Sequence, residues 1–377
     1  MKFIFAPDSF KGSLSAEQIV DILQAAAQRH FPGCETDCVP VADGGEGTVR
    51  ALARAGRGEL RHMAVHGPLM EPAQAEYGVL PNGTYVFEMA QASGLPMVPP
   101  EKRDPRNTTS YGVGELIARA LSEGAKHILI GIGGSATNDG GMGLLAALGA
   151  RFLDGDGAAL PPVGGSLAKV ATIDLSGLDD RAKSTDITVI SDVTNPLTGP
   201  TGATYIYGPQ KGATSAIADA LEAGMAHYAR KFESLLGHSI ADFPGAGAAG
   251  GLGAALKGVL GARMRSGIEA VLDAVHFDGK LDGADLVVTG EGRIDRQTAE
   301  FGKVPAGVLT HAARRGVPVV ILAGSVGPGA ERIYDLGPCA ILPTVPSPMP
   351  LERAMAEAEA NVTAAADRLF RLWKLAK

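Results

Sequence analysis

Six acidic residues follow short apolar runs or sit in glycine-rich turns: Asp8, Asp43, Asp139, Asp192, Glu291 and Asp295. Lys11, Lys211 and Lys303 stand in segments of the same kind. Gathering carboxylates at strand ends is costly without a cation, whereas lysines and bare glycine backbone offer donors to anions. Carboxylates with Mg²⁺, lysines and glycine loops make up the inventory of phosphoryl transfer, in which positioning and charge neutralisation supply most of the catalysis. The motif G-x-x-x-x-G-K-[ST] is absent, as is the protein-kinase signature set, so a kinase built on this chain needs a nucleotide site of its own.

The densest of these segments is Lys126 to Gly149. Ile128, Leu129, Ile130 and Ile132 predict a buried strand of parallel type, Gly131, Gly133 and Gly134 a loop, and Leu144, Leu145 and Leu148 the start of a helical period. Such a unit presents backbone N–H groups to anions. Ser135, Thr137, Asn138 and Asp139 crowd into that loop, more polar chemistry than a turn requires.

The first fifty residues repeat the pattern. Phe3 to Phe5 predict a strand, PDSFKGS a loop, and Ser15 with Gln18 a capping box ahead of a helix. Cys38 to Val41 predict a second strand, ADGGEGT a loop, and Thr48 to Ala55 a helix. Loops at the carboxyl ends of parallel strands converge, so Asp8, Ser9, Lys11, Asp43 and Glu46 are expected to share a ligand space. Pro81-Asn82-Gly83 between apolar runs predicts an antiparallel hairpin opening a second domain. Later strands are expected at Ile187 to Ile190, Ala284 to Thr289, Val317 to Ala323 and Ala340 to Leu342, with a closing helix from Leu351 to about Trp373. The string at Gly245, Gly247 and Gly250 fits G-x-G-x-x-G, but no convincing strand precedes it, which leaves phosphate binding and close packing equally open.

A chain of 377 residues with 45% hydrophobic content suffices for about two domains. A net charge of −7, without a long basic run, argues against nucleic acid or an anionic membrane as partner. Cys34, Cys38 and Cys339 are too few for a disulfide framework, and the sequence shows neither a signal peptide nor an apolar run of transmembrane length, so a cytoplasmic location is expected.

Seven motifs together carry a resemblance. APDSFKGSLSA (6–16), ADGGEGT (42–48), GIGGSATNDGGMG (131–143), SDVTNPLTGPTGA (191–203), GPQKGA (208–213), PGAGAAGGLG (244–253) and TGEGRIDRQT (289–298) resemble, in order and over the whole length, the bacterial type I glycerate kinases. One departure is Ser191, where that family often has cysteine. The resemblance implies phosphorylation of D-glycerate by ATP and Mg²⁺, commonly at the 2-hydroxyl, in a cleft between two α/β domains. One domain would be a flavodoxin-like or Rossmann-like parallel sheet formed by both chain ends (1–65 and 285–377), the other a mixed α/β domain inserted in it (66–284).

On these motifs Lys11, Asp192 and Asp295 are the expected catalytic residues, with Asp192, Glu291 and Asp295 the candidate Mg²⁺ ligands. Which acid is general base and which metal ligand stays open. Asp8, Ser9, Ser13, Asp43, Gly44, Asn138 and Asp139 are expected to bind substrate, and Gly133, Gly134, Ser135, Asn195, Lys211, Gly247 and Gly250 the nucleotide. Two other readings of the loops exist. A nicotinamide dehydrogenase would use Gly131, Gly133 and Ala136 as a G-x-G-x-x-A turn with Asp154 on the ribose; a non-catalytic organic-acid binder would need the glycine loops but fewer acids.

Overall fold

The computed structural model describes residues 1–41, 47–300 and 303–376. Asp43, Gly44 and Glu46 therefore lie outside the described residues. The chain forms two compact units. One comprises Met1–Asp43, Arg50–Gly58 and Ser266–Lys377, the other Gly44–Val49 and Glu59–Arg265. These bounds fall at 58/59 and 265/266, where the sequence suggested 65/66 and 284/285. The strand at 59–66 belongs with the inserted unit because it pairs along its whole length with the next strand.

Among the described residues the first unit opens with β1 (Lys2–Phe5) and β2 (Glu35–Cys38). The inserted unit carries β3 (Glu59–His66), β4 (Pro72–Val79), β5 (Thr84–Glu88), β6 (His127–Gly131), β7 (Arg151–Leu153), β8 (Thr172–Asp174), β9 (Asp186–Ile190) and β10 (Arg263–Arg265). The chain then returns to the first unit with β11 (Leu286–Ile294), β12 (Val319–Val326) and β13 (Cys339–Pro343).

The first unit is built on a parallel sheet of order β13-β12-β11-β1-β2, so both chain ends share it. Its central pairing sets Phe3 beside Leu286 and Phe5 beside Val288. Phe3, Phe5, Leu286 and Val288 are fully buried, and the helices Ala16–His30 and Ala358–Ala376 cover that face with Ile19, Leu23, Val362 and Phe370. Ser15 caps the first helix as expected: its side chain accepts from the Gln18 N–H at 3.3 Å, and the Gln18 side chain accepts from the Ser15 N–H at 2.9 Å. The second strand lies at Glu35–Cys38 rather than Cys38–Val41. It aligns with β1 from Lys2 onwards, and Val39 and Val41 continue the ladder only by donating to Phe5 and Pro7.

The inserted unit has a mixed sheet of order β10-β9-β6-β5-β4-β3. The β10–β9, β9–β6 and β6–β5 pairs are parallel; β5–β4 and β4–β3 are antiparallel. Asn82-Gly83 does turn a hairpin: Gly83 has φ +82°, which glycine adopts without strain, and the Asn82 side chain accepts from the Thr84 N–H at 3.0 Å. β7 and β8 form a separate antiparallel ladder.

Candidate active site

In the inserted unit, β6 delivers the chain to the loop 131–141, and the helix Met142–Ala147 follows. Gly133 and Gly134 are exposed, whereas Thr137, Asn138 and Asp139 are fully buried. Asp139 is the structural centre of the loop. Its Oδ2 accepts from the Ser110 N–H at 2.7 Å, the Ser110 hydroxyl at 2.7 Å and the Gly143 N–H at 3.1 Å, and its Oδ1 accepts from the Gly141 N–H at 3.1 Å. Burial pushes the Asp139 carboxyl above the usual range, against the pull of the Ser110, Gly143 and Gly141 donors. Both oxygens are turned inward and satisfied, so in this structure Asp139, expected from sequence among the substrate-binding residues, braces the loop. Asn138 is equally sealed, with its Nδ2 donating to Thr204 Oγ1 at 3.2 Å.

Lys211 also differs from expectation. Only 2% of it is exposed, and its ammonium reaches the loop from beneath, donating to Ser135 Oγ at 2.8 Å and to the Thr137 carbonyl at 2.6 Å. Burial lowers its pKa to about 7, partly offset by Asp139. Both contacts are to the loop itself. Gly247 and Gly250 are packing glycines as well. A Cβ on Gly250 would stand 2.0 Å from the Thr137 carbonyl oxygen, and one on Gly247 would stand 2.2 Å from that of Pro196. The Gly140 N–H donates to Gly250 O at 3.0 Å, so this segment supports the loop 131–141 backbone to backbone. Asn195 braces its own loop, donating to Thr201 O at 2.8 Å and accepting from the Tyr207 hydroxyl at 2.8 Å. Asp192, by contrast, is exposed immediately beyond β9.

In the first unit the structure brings together Asp8, Lys11, Glu291, Asp295 and Lys303. The Asp8 N–H donates to Gly290 O at 2.9 Å, which sets Asp8 beside the strand position of Glu291. Glu291 is not in a strand-end loop, because β11 continues to Ile294 and pairs with β12 up to Val326. The residue is 7% exposed, and the Thr298 hydroxyl donates to Oε1. Burial raises its pKa, while Thr298, Lys303 and Lys11 act the other way. Asp295 is half-buried. Partial burial raises its pKa, but the Gln297 N–H at 2.9 Å, Arg293 at 3.0 Å and Lys303 outweigh this and leave it below the usual range. The hydroxyls of Ser9 and Ser13 are committed locally, to Asp8 Oδ1 at 3.4 Å and to Phe10 O at 2.9 Å, while Lys11 is exposed.

Among the described residues no group of three or more His, Cys, Asp and Glu side chains is arranged to hold a metal ion. Of the expected trio, Glu291 and Asp295 belong to the first unit and Asp192 to the inserted one. Sequence reasoning also missed Ser110, Thr298 and Glu88. Glu88 is a buried acid at the end of β5 whose Oε1 accepts from the Val49 N–H at 2.7 Å. A Thr-Thr-Ser string reads as a helix cap, and nothing local tells that Ser110 will instead bind Asp139.

The profile of the Glycerate kinase family matches residues 3–374. The chain belongs to the glycerate kinase family. This kinase is 48% identical over 378 residues to a glycerate kinase of Bacillus subtilis (strain 168), covering 100% of this chain and 99% of that one. It is 47% identical over 363 residues to the glycerate 2-kinase of Escherichia coli (strain K12), covering 96% and 95%. A crystal structure of a protein from Salmonella typhimurium LT2, assigned as a glycerate kinase 2, superposes with a TM-score of 0.89 at 44% identity, covering 100% of this chain and 99% of that chain. The dehydrogenase reading fails for this kinase in structural terms too. Asp154 sits in a turn of the separate β7–β8 ladder, its Oδ1 accepting from the N–H groups of Asp156 at 3.0 Å and Ala158 at 2.9 Å.

Proposed function

We propose that the enzyme transfers the γ-phosphoryl group of ATP to the 2-hydroxyl of D-glycerate, giving 2-phosphoglycerate. The observation that carries this reading is the match along nearly the whole chain to the E. coli glycerate 2-kinase. The family resemblance further leads us to expect that nucleotide and acid meet between the two units. No described helix is long and apolar enough to cross a membrane, and we take the cytoplasm as the site of action, where Cys34, Cys38 and Cys339 would remain free thiols.

Mg²⁺ in phosphoryl transfer needs only one or two carboxylates, with phosphate oxygens and water completing its shell. The exposed carboxylate of Asp192 suits that role, whereas Glu291, buried and bonded to Thr298, does not. When bound, the ion would offset the charge that develops on the transferred group. Lys11 and Lys303 bring positive charge to one strand-end cluster, and the exposed Gly133 and Gly134 bring backbone donors to the other loop. In this reading Asp192 either holds the metal or takes the proton of the attacking hydroxyl.

The test is to mix the protein with D-glycerate, ATP and Mg²⁺ and couple product to enolase. Enolase consumes 2-phosphoglycerate directly and needs a mutase for the 3-isomer, so one assay reports both turnover and regiochemistry. No ADP release would sink the proposal, and ADP release with a mutase-dependent signal would replace the 2-hydroxyl by the 3-hydroxyl.

A further inference from the structure

A lysine ammonium has only hydrogens to offer, so in the 2.8 Å contact between Lys211 Nζ and Ser135 Oγ the serine must be the acceptor. The serine proton is then directed away from Lys211. Among the described residues no acceptor for it exists, although only 8% of Ser135 is exposed. The two residues before it, Gly133 and Gly134, are exposed, and among the described residues their N–H groups have no acceptor either. Their neighbours are fixed: Gly134 O accepts from the Leu95 N–H at 2.8 Å, and the Ala136 N–H donates to Ser93 O at 2.9 Å. Three consecutive donors on a braced loop therefore lack partners, one of them a hydroxyl more than nine-tenths buried. Buried polar groups are seldom left unpaired, and a run of donors of this kind suits an oxyanion.

We propose that Lys211 is a positioning residue that presents the Ser135 hydroxyl as a donor to an anionic oxygen of a bound reactant, either a nucleotide phosphate or the carboxylate of the acid substrate. The inference rests on the kinase reading above and deepens it, moving Lys211 from ligand contact to the layer behind. Lys211 acts twice on the loop, orienting Ser135 through Oγ and holding the backbone at Thr137 O. Its charge is felt through the serine, which a donating ammonium polarises. The charged side chain that acts on Lys211 is Asp139; Tyr228, also buried and under the same acid, stays protonated because burial lifts its phenol well above the usual value.

The experiment is initial-rate kinetics of wild type, S135A, K211M and the double variant, varying ATP and glycerate in turn. S135A is expected to raise the KM of one reactant about 10- to 100-fold, the worth of a hydrogen bond to a charged group. A shift in the KM for ATP identifies phosphate, and a shift in the KM for glycerate identifies carboxylate. Because Lys211 orients Ser135 and only its hold on Thr137 O is left in the S135A background, K211M should cost clearly less there than in wild type, whereas a purely structural lysine would cost the same factor in both backgrounds. In wild type the sensitive KM should rise as pH climbs through about 7 and Lys211 loses its proton; S135A should flatten that rise without touching the lysine. Should K211M fail to fold, the S135A and pH measurements decide. Turnover by wild type with both KM values of S135A within about twofold of it overturns this proposal alone; absence of wild-type turnover removes the kinase reading and this inference with it.

Discussion

Replacing Asp139 distinguishes a structural acid from a catalytic one. In Asp139→Ala the N–H groups of Ser110, Gly141 and Gly143 lose their acceptor inside a buried loop, whereas the Ser110 hydroxyl can turn and still accepts from the Leu144 N–H at 3.0 Å. Each buried orphan donor costs about 1–3 kcal/mol. Water entering the space left behind, and release from burying a carboxylate, offset part of this, so the low end applies to all three and the net loss is about 3 kcal/mol. Asp139→Asn keeps one acceptor oxygen. Set towards Ser110 and Gly143, it leaves an NH₂ facing the Gly141 N–H, for a loss of about 1–3 kcal/mol. The single tryptophan, Trp373, lies outside the inserted unit, so its fluorescence would miss the effect. The assay is hydrogen exchange at the Ser110, Gly141 and Gly143 amides, with far-UV circular dichroism in urea. A loss below about 1 kcal/mol for Asp139→Ala would refute the orphan-donor reasoning. Abolished turnover in Asp139→Asn at unchanged stability would return Asp139 to the substrate.

Lys211 makes stability depend on pH. Below about 7 the lysine is charged in folded and unfolded chains alike; between about 7 and 10.5 the unfolded chain keeps a proton that the folded chain has lost, so stability rises across that window, and K211M should remove the rise in denaturant titrations. Gly250→Ala places a methyl 2.0 Å from the Thr137 oxygen at φ +68°, and a loss of at least about 2 kcal/mol is expected, measured by thermal unfolding. Asp192→Asn should lower kcat by about 10²- to 10⁴-fold with the fold intact by circular dichroism, and near-wild-type kcat would remove Asp192 from the chemistry. Lys11→Ala should depress kcat/KM at least about tenfold, and an unchanged value would make Lys11 a surface residue.

What the sequence made legible was local: the Ser15–Gln18 cap, the Asn82–Gly83 turn, and the strand, loop and helix around Gly133. Each is written within a few residues. What it hid depends on distant partners. β11 was expected to end at Thr289, because GEGRI has poor strand composition, yet pairing with β12 carries it to Ile294. Gly250 packs against the Thr137 carbonyl, and packing and phosphate approach alike require a missing Cβ; that carbonyl lies over a hundred residues earlier. Asp139 and Asp192 look alike in sequence, both following a buried strand. Only burial separates the satisfied acid from the exposed one.

The sheet shared by both chain ends also sets an order of assembly. β1 leaves the ribosome long before its neighbour β11, which begins at Leu286. The inserted unit ends at Arg265, so all the strands of its own sheet are made before β11 appears. Until β11 arrives, Phe3, Ile4 and Phe5 wait on an open strand edge, a surface prone to pairing with other chains. A nascent chain stalled between Arg265 and Leu286 would thus carry one finished unit and one sticky strand, and that interval is where a chaperone holding β1 would matter most.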